Sequence, residues 1–268
     1  MKISFIGGGL MAEALIGGIL KARLASPGDV RVGEPIESRR AHLEQTYGLT
    51  SHPANTDVAS GADILVLSVK PQNLPEVMSD LNGRLAADNA VVSIIAGAKM
   101  DALVLGLGHA AVIRVMPNTP AQIGAGMSVW TAAPEVPEAK VDATRDILRT
   151  LGEEVYVPDE KLIDMATALS ASGPAYVFLF IESLIDAGVY LGMSRAMARQ
   201  LVLQTVLGST SLVRETGRHP AELRDMVTSP GGTTAEALLA FEKSGFRASV
   251  LQAVIAAYEK SRALGKQS

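Results

Sequence analysis

Two stretches of the chain carry residue types and spacings that could do chemistry. The first is Gly7-Gly8-Gly9-Leu10-Met11-Ala12, a G-x-G-x-x-A pattern straight after the short apolar run Lys2 to Ile6. Between a strand and a helix this spacing suits a dinucleotide. Gly7 makes the tight turn, Gly9 lets a pyrophosphate approach the backbone, and Ala12 lets helix and strand pack closely. The second stretch lies late: Met226-Val227-Thr228-Ser229-Pro230-Gly231-Gly232-Thr233-Thr234-Ala235-Glu236. Pro230 presets φ, while Gly231 and Gly232 can take backbone angles closed to other residues. Thr233 or Thr234 is placed to cap the helical run that follows, with Glu236 in its favoured first turn. Peptide N–H groups left unpaired there, with Ser and Thr hydroxyls alongside, form a receptor for a small carboxylate or phosphate.

The elements around the first stretch read as a parallel sheet. Lys2 to Ile6 is a strand and Ala12 to Lys21 a helix. Val30 to Val32 is the second strand, ending at Gly33-Glu34, where Glu34 can accept hydrogen bonds from an adenosine ribose and so favour NAD. Glu34 comes 27 residues after Gly7, later than the usual ~20, and the loop Ser26-Pro27-Gly28 absorbs the excess. Arg39 and Arg40 on the next helix could instead neutralise a 2′-phosphate, or all three could be solvated surface charges. The residues leave NAD versus NADP open.

Ala62 to Val69 is almost wholly apolar, as expected of a parallel strand covered on both faces. It leads to Lys70-Pro71, at the carboxyl end where open α/β sheets bind ligands, and Val69, Lys70 and Pro71 are therefore cofactor candidates. Ala90 to Ile95 and Ala111 to Val115 repeat the pattern. They end in Ala96-Gly97 and in Met116-Pro117-Asn118-Thr119-Pro120, where proline-flanked Asn118 makes a rigid turn beside the nicotinamide end. With helical runs at Arg39 to Gln45, Asn73 to Leu81 and Asp101 to Leu105, the pattern predicts a Rossmann-type doubly wound α/β domain. Met127 to Thr131 and Glu154 to Val157 read as extra strands, with a helix over Val136 to Leu151 between them.

Around Pro158 strand signals stop. The expected division is a cofactor domain over residues 1–157 and an all-α domain over 158–268 that binds substrate and dimerises. Leu162 to Leu191 is apolar almost all round, broken at Ser172-Gly173-Pro174, where a kink is expected. A helix apolar on every side must be buried, and a partner subunit is the simplest cover. Arg195 to Glu215, Pro220 to Val227, Thr234 to Lys243 and Arg247 to Leu264 read as further helices. Met165 to Leu191 contains no Lys, His or Arg, and the four histidines, His42, His52, His109 and His219, lack metal spacing. Chemistry without a strong protein acid is therefore expected. Hydride transfer to a protonated imine is such a reaction, because the substrate nitrogen already carries its proton.

Bulk properties narrow the field. The chain has 268 residues, 48% hydrophobic and 19% charged, enough for two domains with a sizeable core. A formal net charge of −4 offers no basic footprint for nucleic acid. The absence of cysteine excludes disulfides and thiolate chemistry and fits a cytoplasmic location. Glu13 and the glycines make the N-terminal run a strand-turn-helix rather than a signal peptide. No uninterrupted apolar stretch of about 18 residues occurs, so no membrane span is expected.

Several separated motifs, running from Lys2 to about Ser261, give the whole chain a resemblance to the Δ1-pyrroline-5-carboxylate reductases. They are Phe5-Ile6-Gly7-Gly8-Gly9, Ser68-Val69-Lys70-Pro71, Ile95-Ala96-Gly97, Arg114-Val115-Met116-Pro117-Asn118-Thr119-Pro120, Ser172-Gly173-Pro174-Ala175-Tyr176 and Leu223 through Thr234. The resemblance implies NAD(P)H-dependent reduction of 1-pyrroline-5-carboxylate to proline. It implies that Ser229 and backbone groups near Gly231, Gly232 and Thr233 hold the substrate carboxylate, and that Thr234 bonds the ring nitrogen. Lys70, Asn55, Ala96 and Ser172 match cofactor contacts in that family, and Glu160 matches a position near the substrate. The family usually takes NADPH, often NADH as well, and Glu34 fits poorly with a strict NADPH preference. Its members dimerise through helices of the second domain, and some form pentamers of dimers. The competing readings are a related imine or 3-hydroxyacid dehydrogenase, and a non-catalytic cofactor sensor.

Overall fold

Apolar side chains alternate between two faces along the first strands, and that alternation sets the architecture. Ile3, Phe5, Ile64, Val66, Val92, Ile113 and Val115 belong to one core; Ile6, Leu65, Leu67, Val91 and Val112 belong to another. A strand that buries both faces needs helices on both sides. The computed structural model, which describes residues 1–265, supplies them.

In chain order the elements are β1 (Ile3–Ile6), α1 (Leu10–Lys21), β2 (Val30–Gly33), α2 (Glu37–Tyr47), β3 (Thr50–His52), α3 (Thr56–Ala59) and β4 (Ile64–Leu67). Then come α4 (Leu74–Leu81), β5 (Ala90–Ser93), α5 (Met100–Leu107), β6 (Val112–Met116), β7 (Gly126–Ala132), α6 (Glu138–Arg149) and β8 (Gly152–Tyr156). The eight-stranded sheet has the order β3-β2-β1-β4-β5-β6-β7-β8. Helices α1 and α6 with Leu43 of α2 cover one face, through Leu15, Ile16, Ile19, Ile147 and Leu148. Val58, Leu74, Val77, Leu81, Leu103 and Leu107, from α3, α4 and α5, cover the other.

Pairing is parallel throughout except between β6 and β7. The reversal follows from the short connection: Thr119–Ile123 forms one tight turn with no room for a crossover helix. The chain reverses its winding between β1 and β4, so the ends of these strands, Gly7 and Ser68, sit side by side at the switch point. Two small elements are absent from the sequence analysis. β3 is three polar residues and α3 is four residues long, too short for either to carry a periodic signal.

The remaining helices are α7 (Lys161–Ala166), α8 (Gly173–Tyr190), α9 (Arg195–Thr216), α10 (Pro220–Met226), α11 (Thr233–Lys243) and α12 (Phe246–Leu264). The kink expected at Ser172-Gly173-Pro174 takes the form of a wide π turn over Thr167–Ala171, just ahead of it. Packing divides the chain after Ser172 rather than at Pro158. One unit holds Met1–Ser172 with the segment from Ala257 onward, the other Gly173–Ala256. Side chains in the first unit explain the later break. Ile163 and Ala168 are buried there, with Ile163 in a core with Met116, Val129 and Val157, and Asp164 pairs with Arg114 of β6.

Within the second unit α8 lies against α9, so closely that a Cβ on Gly188 would stand 2.9 Å from that of Ala198. Phe246 stacks near Phe180 and Phe241, with ring centroids 6.2 and 5.1 Å away. No residue of α8 is buried within the chain, and Val177, Phe178, Leu179 and Phe180 are exposed. The segment Lys161–Tyr190 is also long and apolar enough to cross a membrane by length and composition alone, where the sequence reading found no such stretch. The difference is that Asp164, Glu182 and Asp186 interrupt the run without removing its apolar average.

Candidate functional site

The glycine-rich turn is built against the end of β4. Gly7 has φ +96, and a Cβ there would meet the Ser68 carbonyl oxygen and Val69 Cγ1 at 3.0 Å, so only glycine fits. The Ser68 hydroxyl donates to the Gly7 and Ile6 carbonyls at 2.8 and 3.1 Å, and the Gly7 N–H donates to the Gly33 carbonyl at 2.7 Å. Gly9 shows the opposite: a Cβ built on it meets nothing within 4 Å. It faces open space, as a cradle for a bulky anion requires.

Helix α1 starts there, and no side chain caps it. Glu13 N–H makes the first helical bond, to the Gly9 carbonyl at 2.9 Å, which leaves the N–H groups of Leu10, Met11 and Ala12 as the helix's unpaired donors. Ala12 itself is fully buried, consistent with close packing on the sheet. An open glycine, a 12-residue helix and three unengaged N–H groups together fit a pyrophosphate.

The Gly8 peptide is held from both sides. Its N–H donates to Glu34 Oε2 at 2.8 Å and its carbonyl accepts from Arg39 Nε at 2.5 Å. Glu34 is 8% exposed, and its other oxygen accepts from Ile36 N–H at 3.0 Å. Arg39 also pairs with Glu13 at 2.5 Å, and His42 reaches the same carboxylate at 2.8 Å. Burial pushes the Glu13 carboxyl up, but hydrogen bonds from His42 and Arg39, with their charges, outweigh it and hold the group below its usual range. Asn55 lies just before α3 and packs on Gly33, where a Cβ would meet its Oδ1 at 3.1 Å.

Beyond β4, Val69 packs on Gly7, Lys70 is exposed, and Pro71 opens a short turn. Ala96 and Gly97 follow β5, and Gly97 has φ +79 with Leu264 packed over it. Ser172 closes the π turn, its N–H donating to the Thr167 carbonyl at 2.9 Å.

Two further candidates make hydrogen bonds within the first unit. Asn118 accepts from Met127 N–H at 2.9 Å and donates to Ser170 at 3.3 Å, so its amide ties the β6–β7 turn to the π turn. Glu160 was expected near a substrate. Its Oε1 accepts from Arg114 Nη1 at 2.6 Å and from Met100 N–H, at the start of α5, at 2.7 Å. Arg114 is 1% exposed, and its other arm donates to Asp164 at 2.9 Å. The sequence did contain a signal for this network. Arg114 sits inside the apolar run Val-Ile-Arg-Val-Met, and a cation in a strand buried on both faces demands counter-charges.

The hydroxyl-rich stretch lies in the second unit. Gly232 N–H donates to the Ser229 carbonyl at 3.0 Å, closing a turn with Pro230 at its second position and Gly231 at φ +66 in its third. Here the sequence reading is one residue late. The N-cap is Gly232, not a threonine, and α11 begins at Thr233. Ser229 Oγ lies against the Gly232 Cα, where any Cβ would collide with it. Thr228 is engaged, its hydroxyl donating to the Arg224 carbonyl at 2.7 Å. Among the described residues the hydroxyls of Ser229, Thr233 and Thr234 make no hydrogen bond, and no side chain caps α11. Three hydroxyls and the first N–H groups of an 11-residue helix thus stand together and unengaged. No group of three or more carboxylate, imidazole or thiol side chains that could hold a metal occurs among the described residues.

Comparison with known proteins adds to this geometry. Residues 160–264 match the family model for pyrroline-5-carboxylate reductase dimerisation. Residues 2–97 match that of coenzyme F420-dependent NADP oxidoreductases. A pyrroline-5-carboxylate reductase of Synechocystis is 43% identical over 267 residues, covering 100% of this chain and 99% of the relative. One from Escherichia coli is 43% identical, over 99% of this chain and 98% of its own. The crystal structure of the Plasmodium falciparum pyrroline carboxylate reductase with NADP bound superimposes with a TM-score of 0.91. Its sequence is 36% identical, covering 99% of this chain and 98% of that one.

Proposed function

The chain belongs to the pyrroline-5-carboxylate reductase family, and we propose how its residues reduce 1-pyrroline-5-carboxylate to L-proline with NAD(P)H. The observation that carries the activity is the full-length likeness to reductases of that name.

The turn Gly7 to Gly9 and the N-terminus of α1 hold the cofactor pyrophosphate, with Glu34 toward the adenosine ribose. Lys70, Asn55, Ala96 and Ser172 provide further cofactor contacts. Supporting this is the open space at Gly9, which a side chain would fill. The reduced nicotinamide, when bound, supplies a hydride for the imine carbon. The substrate carboxylate takes the Ser229 hydroxyl and the N–H groups at the start of α11, an acceptor matched to a cluster of donors. Thr234 bonds the ring nitrogen, which orients the ring and favours its protonated, electron-poor form. As the imine is reduced, the nitrogen gains an electron pair and loses its charge, and a neutral hydroxyl can follow by rotating from acceptor to donor. No lysine or histidine is needed on α8, and none is there.

The assay that tests this reading follows cofactor absorbance with three substrates: pyrroline-5-carboxylate, its six-membered homologue piperideine-6-carboxylate, and a 3-hydroxyacid in reverse. The first is expected to turn over fastest. Turnover of the hydroxyacid alone would assign the chain to another dehydrogenase class, and no turnover with any would leave a cofactor sensor.

The division by role into a cofactor domain over 1–157 and a substrate domain over 158–268 belongs to the same proposal, and is distinct from the packing division after Ser172. The dimerisation family model supports self-association, and it spans the helices whose apolar residues are exposed in the single chain. These features favour a cytoplasmic dimer with α8 at its interface, rather than a membrane location for that segment. An obligate interface of this kind buries more than roughly 2,000 Å². Sedimentation at micromolar concentration is expected to show the dimer and no monomer. A stable monomer would contradict this assembly.

A further inference from the structure

We infer that this chain prefers NADH to NADPH, and that Glu34 sets the preference. The inference rests on the cofactor site proposed above and concerns its adenosine end. Glu34 stands at the carboxyl end of β2, beside the glycine-rich turn. Its two oxygens are fixed by Gly8 N–H at 2.8 Å and Ile36 N–H at 3.0 Å. A carboxylate has about four acceptor sites, so those left over suit the hydroxyl donors of a ribose diol. A 2′-phosphate brings only acceptors and a charge near −2 to the same place.

The carboxylate cannot simply swing away. Doing so would leave the Gly8 N–H without its partner, and the residue is 8% exposed, so its charge is poorly screened by salt. Nor are the neighbouring cations placed to compensate. Arg39 is held by the Gly8 carbonyl and by Glu13, itself shared with His42. Arg40 makes no ion pair among the described residues, but it donates to the carbonyls of Glu34 and Pro35 at 2.8 and 2.9 Å. A 2′-phosphate would therefore have to recruit Arg40 while standing beside Glu34.

The test is a fluorescence titration of the full-length protein with NADH and with NADPH, without substrate, alongside kcat/KM for each. Wild type is expected to bind NADH roughly ten-fold or more tightly than NADPH, the scale of one poorly screened like charge. Glu34→Ser is expected to narrow or reverse that ratio. Both cofactors can weaken together as the Gly8 tether is lost, but the ratio reads the charge alone. Glu34→Gln, closer in size, is the second variant should Glu34→Ser fold poorly, and it is expected to narrow the ratio in the same direction. Arg40→Ala is expected to change NADPH affinity less than about three-fold, the range of an unrecruited surface charge. Wild type binding NADPH as tightly as NADH or tighter, or a ratio unmoved in both Glu34 variants, would overturn the inference and leave the reductase assignment standing. A ten-fold loss of NADPH affinity in Arg40→Ala would overturn it as well. Binding of neither cofactor would overturn the inference and the reductase reading together.

Discussion

Thr234→Ala lowers kcat/KM for pyrroline-5-carboxylate about ten- to a hundred-fold, the cost of about 1.5–3 kcal/mol for one hydrogen bond to a charged group. The substitution deletes a hydroxyl that makes no other hydrogen bond among the described residues. The backbone donors at the start of α11 stay, so the proposed carboxylate receptor survives. Folding is little affected, because the helix is capped at Gly232 and Thr234 contributes no cap. Cofactor Kd stays within about two-fold, since no cofactor contact is removed. Thr233→Ala is the neighbouring control, and it costs less if its N–H rather than its hydroxyl serves the carboxylate. Steady-state kinetics at subsaturating substrate decide the matter. Equal activity in wild type and Thr234→Ala would remove Thr234 from the catalytic residues.

Arg114→Met destabilises the protein by about 3 kcal/mol, without any contact to the reacting atoms. The guanidinium is buried and bridges Glu160 and Asp164, and Asp164 in turn lies 3.5 Å from Ser261 of α12. Removing one partner of a buried pair strands the other charges, which typically costs 3–5 kcal/mol. The lower end applies because the side chains of Glu160 and Asp164 remain 31% and 14% exposed. Urea unfolding at fixed protein concentration reads the loss as a lower midpoint with unchanged slope. Adding Glu160→Gln and Asp164→Asn to Arg114→Met recovers part of the loss, because no stranded charge remains. An Arg114→Met protein as stable as wild type would show that the network is incidental to folding.

What the sequence made legible follows the physics of each element. Gly7 could be read because the turn needs a backbone angle and a clearance that only glycine provides. Inner strands such as β4 and β5 could be read because they are buried on both faces and mostly apolar. The stretch Thr50–His52 could not, since a short edge strand with polar residues has nothing to alternate. The start of α11 was read one residue late. Thr233 and Thr234 are the cap candidates in the sequence, but glycine also tolerates the position, and the backbone angles place the cap at Gly232. The bond from Arg114 to Glu160, 46 residues later, exists only in the fold and could not be read from the motifs. Glu34 follows the second strand in the sequence, but its bond to Gly8 N–H could not be seen from spacing. The packing boundary at Ser172 has the same origin, because α7 is tied to the first unit by Asp164 and Ile163 rather than by its hydropathy.

The central claim is hydride transfer to the imine carbon of a substrate held by its carboxylate. The most direct measurement uses reduced cofactor deuterated at the transferring position, with the product ring examined by mass spectrometry and NMR. One deuterium is expected per proline, on the ring carbon next to nitrogen and away from the carboxylate, in a single stereochemical position. Proline formed without deuterium, or labelled at the carbon bearing the carboxylate, would contradict the account.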